Sequence, residues 1–356
     1  MLEWLCKRFN YPTYWSGMSG ITLLRGEEMK MQLKPHFFSF FHLYIIFFFL
    51  LVWAYVIHDF FDSHTFQDFR FYDIIIEIPF VNEVLAGAFD WPLFCLVFLG
   101  ASFLHLSANT FNDYFDWKAG TDQANNDYFL QYSGGSRAIE LDLISESGLF
   151  RLASSFLLLA AVCGIAVIFG PWARGMDLFW YGAAGAVGGF FYTAPPFKLA
   201  ARRGLGEVSI GLLFGPMLTM GAVFALTGIH SWDAFLLGIP VGLLTTAILW
   251  INQFPDTPTD IATGKIHLVA TLGIRNARWG YLGLMAGSFL AMYLLFTYDI
   301  VSRGALLGML AAPGAVYLTY KVFLDFEKRE LATTCANTIY FQMAAGILMI
   351  LGISFL

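Results

Sequence analysis

The chain has 356 residues, of which 58% are hydrophobic and only 13% charged, about half the charge of an ordinary soluble domain (roughly 25%). Soluble globular character is thereby excluded, and a net charge of −6 with no long basic run argues against a nucleic-acid partner. Cys6, Cys95, Cys163 and Cys335 stand far apart without ligand-like spacing, which excludes a disulfide framework or a zinc site.

Residues 1–37 are mixed in character and lack the apolar stretch of a cleavable signal, so the first span is expected to act as its own insertion signal. They are read as a cytoplasmic N-terminal segment ahead of one transmembrane domain, 38–356. Apolar blocks follow at 38–58, 91–112, 148–170, 178–194, 206–228, 233–254, 279–297, 304–322 and 337–356. Each is close to the 20 or so residues needed to cross a hydrocarbon core about 30 Å thick. Each must be helical, because lipid offers no partner to a free backbone N–H. The expected fold is an all-α integral membrane bundle of about nine helices. Gly182, Gly185, Gly188 and Gly189 in the fourth block suit close helix–helix approach. The connection 59–90, aromatic and acidic, is read as an amphipathic segment on the outer interface.

Lysine and arginine set the orientation. With the N-terminus in the cytoplasm, the N-terminal tail and the second, fourth, sixth and eighth connections hold 17 of the 20 basic residues. Only Arg70, Arg174 and Arg303 lie opposite. The positive-inside rule then predicts a multi-pass protein, in the cell membrane, with its N-terminus in and its C-terminus out.

The second and sixth spans both end at the cytoplasmic side in polar clusters. The first holds Asn109, Asp113 and Asp116, followed by Gly120 and Asp122. At 100° per residue the first three share about 60° of arc on one helix face. The second holds Asn252, Asp256 and Asp260, with Pro255 and Pro258 expected to bend or end the helix. A lone Asp at a helix end ordinarily just faces water. Two Asn-x-x-x-Asp clusters at the same end of two spans, with little basic charge beside them, instead suit a divalent cation. Hard oxygen donors favour Mg²⁺, which keeps several waters and binds a few carboxylates plus substrate phosphates. Between the fourth and fifth spans, Tyr192, Pro195, Pro196, Lys198, Arg202 and Arg203 bring cations to the same side, although positive-inside charge alone accounts equally well for the two arginines. Arg137, beside Gly135 in a loop, is either a solvated cation or one that closes over a phosphate. His105 reads as an interior histidine, and Glu207 as a residue suited to the helix dipole.

These residues resemble the UbiA superfamily of membrane prenyltransferases. The likeness rests on the two Asp-rich motifs, running from Asn109 to Asp122 and from Asp256 through Asp260 to Gly264 and Lys265, and on the Gly204-Leu205-Gly206-Glu207 turn. Within the superfamily the motifs are most similar to the menaquinone-pathway branch, the 1,4-dihydroxy-2-naphthoate prenyltransferases. The resemblance implies that Asn109, Asp113, Asp116, Asp256 and Asp260 form the Mg²⁺–diphosphate set. It implies that Tyr192 and Lys198 bind the diphosphate and that Arg137 stands where the family carries a phosphate-binding basic residue. Ile266 departs from the pattern, replacing an Arg that the family often has, and His267 would supply that charge only when protonated.

The expected reaction is Mg²⁺-dependent transfer of a polyprenyl group from a prenyl diphosphate to an aromatic acceptor, within membrane lipid, with diphosphate released. Electrostatic stabilisation of the leaving group would carry it, and aromatic residues would shield the cation-like centre. An intramembrane terpene cyclase on the same scaffold is the alternative. A transporter fits less well, because its polar groups belong near the midplane rather than at one face.

Overall fold

The structure is a computed structural model that describes residues 90–125 and 135–355. The N-terminal segment, the first expected span 38–58 and nearly all of the 59–90 connection lie outside the described residues. Those that are described belong to one unit, Phe40–Leu356.

Seven helices among the described residues are long and apolar enough to cross a membrane: α1 Trp91–Ala119, α3 Glu146–Phe169, α5 Leu205–Thr227, α6 Trp232–Ala262, α8 Ile274–Thr297, α9 Arg303–Asp325 and α10 Leu331–Ile353. An eighth, α4 Met176–Thr193, occupies the fourth expected span and is too rich in glycine and polar-edged aromatics to match the others in apolarity. The short helices α2 Thr121–Ala124 and α7 Leu268–Leu272 lie in the connections that carry the polar motifs. The protein is thus an all-helical, multi-pass integral membrane protein.

Local chemistry starts and stops these helices. Asp90, Ser145 and Ser231 cap α1, α3 and α6 by accepting the backbone N–H groups of Leu93, Gly148 and Ala234. Gly120, at φ 77°, turns the chain out of α1 in the left-handed region. That turn lets α2 fold back toward α6.

Helix α6 is the hub. Of its apolar stretch 61% is buried, against 17% for α1 and 22% for α3. It meets α5 backbone to backbone. A Cβ added at Gly242 would lie 2.2 Å from the Gly211 carbonyl oxygen, and one at Gly215 would lie 2.4 Å from that of Gly238. The π-helical turn Leu213–Met217 in α5, which contains Pro216, sits at this crossing. On α4, Gly185 and Gly189 face Leu104 and Ala108 of α1, and Gly188 faces Leu213; Gly182 faces open space. On the other side of α6, Thr334, Thr338 and Gln342 form a buried polar stripe on α10. Thr338 meets the Tyr281 hydroxyl at 2.8 Å, and Gln342 donates to Thr245 at 2.9 Å, tying α10 to α8 and α6.

Of the two outcomes expected at Pro255 and Pro258, a bend or an end, the end does not occur. The α6 helix continues to Ala262. Pro255 has no N–H to give the Ile251 carbonyl, and the Cys335 thiol approaches that oxygen at 3.9 Å instead. Asp256 and Asp260 therefore both belong to an unbroken helix.

Candidate functional site

The two ends of the bundle carry different polar chemistry. At one end, the acidic face, lie the end of α1, the loop through α2, the α4–α5 connection and the end of α6. Their ties run between segments remote in sequence. Lys265 donates to Asp116 at 2.8 Å, across 149 residues. The Asn125 side chain donates to Asp256 at 2.7 Å, across 131 residues. The backbone N–H of Ser136 points at Asp113 at 3.4 Å. Arg203 N–H donates to the Ile266 carbonyl at 2.9 Å. The two Asp-rich clusters thus meet at one place.

Two of the carboxylates there are buried and the other three partly so. Asp122 and Asp260 are 6% and 3% exposed. Burial, with the Asp116 and Asp113 carboxylates adding to it, pushes the Asp122 carboxyl up to about 8. Lys265 responds in the opposite sense. Burial opposes its charge, but the Asp116 and Asp260 carboxylates outweigh it and hold the ammonium well above the ordinary lysine range. The Tyr192 hydroxyl lies in the field of Lys265, Glu207, Asp116 and Asp260, so α4 contributes to the same site.

His267 is fully buried. Its Nδ1 accepts the Ala270 N–H at 3.0 Å, which caps α7. Its Nε2 lies 3.2 Å from Asp260 Oδ2, so His267 ties the loop after α6 to the second cluster. Glu207 does more than suit a helix dipole. It is 4% exposed, accepts from Leu268 N–H at 2.8 Å and from Gln253 at 3.2 Å, and so fastens the loop after α6 to the start of α5.

The remaining expected residues sit as follows. Asn109 is one turn deeper than Asp113, with its amide 3.3 Å from His105 Nε2, and His105 meets the Phe214 ring of the π turn edge-on at 4.9 Å. Asn252 is partly buried on α6. Lys198 is exposed, in the left-handed region at φ 45°, and its ammonium makes no hydrogen bond or ion pair with another described residue. Arg137, 5% exposed, turns inward, donating to the carbonyl oxygens of Asp122 and, at 2.8 Å, of Asn125, and pairing with Glu140 at 2.9 Å. Asp122, Asn125 and Lys265 are the site residues that the sequence left without a role, and Glu207 the one it gave a lesser role. Asp122 and Lys265 do carry a signal, as the last polar positions of the two motifs; Asn125 carries none.

Among the described residues no three carboxylate, imidazole or thiol groups converge closely enough to enclose a metal by themselves. Asp113, Asp116 and Asp122 nonetheless act on one another, Asp116 and Asp260 both act on Lys265, Asp256 is tied to the same loop through Asn125, and Asp122 retains its proton near neutrality. Such a donor set suits a hard cation that takes a few carboxylates and completes its shell with water and phosphate oxygens.

The opposite face is plainer. Trp172 donates to Asp90, Arg174 donates to the carbonyls of Ala225 and Leu226, and His230 lies between Tyr181, at 2.9 Å, and Asp177, at 3.2 Å.

Residues 84–344 match the UbiA prenyltransferase family. The chain is 28% identical over 232 residues to UbiA prenyltransferase domain-containing protein 1 of Dictyostelium discoideum, covering 60% of this chain and 66% of that one. It is 28% identical over 239 residues to the 1,4-dihydroxy-2-naphthoate octaprenyltransferase of Mycobacterium tuberculosis, covering 66% and 76%. With the enzyme of the same name from Escherichia coli it shares 26% over 272 residues, covering 75% and 85%. A solved structure of digeranylgeranylglyceryl phosphate synthase shares the fold, with a TM-score of 0.53 at 18% identity over 75% of this chain and 88% of that one.

Proposed function

The chain belongs to the UbiA prenyltransferase family, and from that premise we propose that it is a Mg²⁺-dependent enzyme moving a polyprenyl group from a prenyl diphosphate to an aromatic acceptor of the dihydroxynaphthoate type. The observation that carries this reading is the junction of two carboxylate clusters, fastened by Lys265–Asp116 and Asn125–Asp256.

Asp113, Asp116, Asp122, Asp256 and Asp260 would hold the metal, with Asn109 and Asn252 beside them. Mg²⁺, when bound, supplies positive charge against the diphosphate. The chain's own residues do the rest. Lys265, held charged by two carboxylates, faces the negative charge that builds on the leaving group. Tyr192 offers a hydroxyl donor to the same oxygens. Lys198, exposed and on the same connection, reaches a diphosphate entering from the water side. The allylic carbon–oxygen bond breaks with its electron pair leaving on diphosphate. A ring carbon of the acceptor forms the new bond with its π electrons, and aromaticity returns when that carbon releases a proton to water or its carboxylate as CO2, the bonding pair staying in the ring. Beside the motif the buried Phe111 ring of α1 packs edge-on against Phe190 of α4, with ring centroids 5.0 Å apart, and would shield the reacting carbon from water. The acidic face is the cytoplasmic one, by the excess of Lys and Arg in its connections. Residues 1–37 precede the transmembrane domain 38–356 on that side, in the cell membrane.

The test is to incubate purified protein with labelled prenyl diphosphate, a panel of aromatic acids and Mg²⁺. A prenylated aromatic product, with or without the carboxyl group, is expected only when acceptor and metal are both present. A hydrocarbon product formed without acceptor would turn the assignment to a cyclase, and no consumption of the diphosphate would end it.

A further inference from the structure

Arg137 and Asn125 form a buried relay that ends on the second Asp-rich cluster. The Arg137 guanidinium, with only 2% of the side chain exposed, pairs with Glu140 at 2.9 Å. It also donates to the Asp122 carbonyl and, at 2.8 Å, to the Asn125 carbonyl. Asn125, 4% exposed, then donates its side-chain amide to Asp256 Oδ1 at 2.7 Å. Arg137 holds φ 57° directly after a partly buried Ser136 and a Gly135 at φ 72°. A Cβ at Gly135 would meet the Asp122 carboxylate at 3.0 Å. A non-glycine residue in the left-handed region costs on the order of 1 kcal/mol and persists where its surroundings over-determine it. Here the three inward bonds do so.

We propose that Asn125 is a positioning residue for the reaction, and that Arg137 acts through it rather than by touching the diphosphate. The relay holds Asp256 Oδ1 and so sets the direction in which Oδ2 points, which places the second cluster at a fixed distance from the first. Arginine is required because its planar fork reaches two carbonyls and a carboxylate at once, which a lysine ammonium on a flexible stem does not reproduce. Asparagine is required because its amide donates to a carboxylate while its backbone carbonyl receives the guanidinium. Residues that orient a metal-binding carboxylate typically change metal affinity or activity by about 10–100-fold when lost.

This inference rests on the proposed metal–diphosphate reading of Asp256, and the experiment separates the two. Mn²⁺ binding in the presence of inorganic pyrophosphate is followed by electron paramagnetic resonance on wild type, Asn125→Ala, Arg137→Ala, the double variant and Asp256→Ala, alongside turnover and thermal stability. Asn125→Ala is expected to weaken Mn²⁺ binding about tenfold and lower kcat, with KM for prenyl diphosphate little changed at saturating metal. The double variant is expected to be no worse than the poorer single one, because both residues act along one path. Arg137→Lys is expected to rescue little. Wild-type Mn²⁺ binding and turnover in Asn125→Ala would overturn the proposal, as would strictly additive losses with a raised KM confined to the Arg137 variants, the mark of direct phosphate contact. Should Arg137→Ala fail to fold, Asn125→Ala and Asn125→Asp carry the test. The aspartate sets two carboxylates against each other and is expected to bind metal with altered affinity and to lose turnover beyond the alanine variant; wild-type behaviour in both overturns the proposal. Asp256→Ala with unaltered Mn²⁺ binding and turnover would instead remove the underlying reading.

Discussion

The two ends of the bundle use the same residue types to different effect. At the plain end His230 meets Asp177 at 3.2 Å, with the two side chains 49% and 66% exposed. At the acidic end His267 meets Asp260 at the same 3.2 Å, with the two side chains 0% and 5% exposed. The geometry of the pair is alike, but the solvent around it is not. Water screens the first pair, and such exposed pairs are worth between nothing and about 1 kcal/mol. The second lies at the end of the bundle where burial, with the Asp116 and Asp113 carboxylates adding to it, holds the Asp122 carboxyl near 8. Burial and crowding, rather than residue identity, separate a site from a surface.

The comparison breaks most sharply at the carboxylates. Asp113→Ala or Asp256→Ala is expected to abolish product formation while the protein still inserts and elutes as wild type on size exclusion, and a chelator is expected to do the same to wild type until Mg²⁺ is returned. Wild-type turnover in either variant would remove the metal reading. Lys265→Ala comes next. Loss of one positioned charge at a developing anion costs about 10²–10³-fold in kcat, and single-turnover kinetics would register it; a loss confined to KM would place Lys265 in ground-state binding only.

The crowding itself has a pH signature. The unfolded Asp122 loses its proton near 4, whereas the folded carboxyl keeps it to about 8. Between those values the metal-free folded state binds more protons than the unfolded one, so this group's contribution to stability falls as pH rises from about 4 to about 8. Metal binding must displace that proton. The rise in Tm produced by Mg²⁺ should therefore grow from pH 6 to pH 8, and Asp122→Asn should flatten the dependence. A Mg²⁺ shift in wild type that is constant across that range would contradict the crowded-carboxylate account. The smallest effect belongs to the plain end. Asp177→Asn and His230→Ala should leave turnover within about twofold, as exposed pairs do, and a tenfold loss would show that this end too takes part.

Hydropathy and motif spacing placed eight of the expected spans, with the largest departures where α1 runs on to Ala119, α6 runs on past Pro255 and α10 begins at Leu331. At α6 the prolines left a bend or an end open, because a proline's effect depends on whether another group serves the carbonyl it leaves, and that group, Cys335, lies 84 residues away. The first motif was legible as an acidic face, yet the depth of Asp122 was not, because Gly120 reverses the chain after α1. The role of His267 as the cap of α7 rests on a backbone N–H three residues on, which no motif announces.

From the chain alone came what depends on short-range regularity: transmembrane helices from runs of apolar residues, the sidedness of charge, and two acidic motifs at matching helix ends. Their meeting was decided only in three dimensions, where Asn125 reaches Asp256 and Lys265 reaches Asp116. Lipid forces each span to satisfy its own backbone, so the helices are local. Which helix ends share a dry, low-dielectric place is set by the close glycine crossing of α5 and α6 and by the loop ties between remote segments, and these have no period to read.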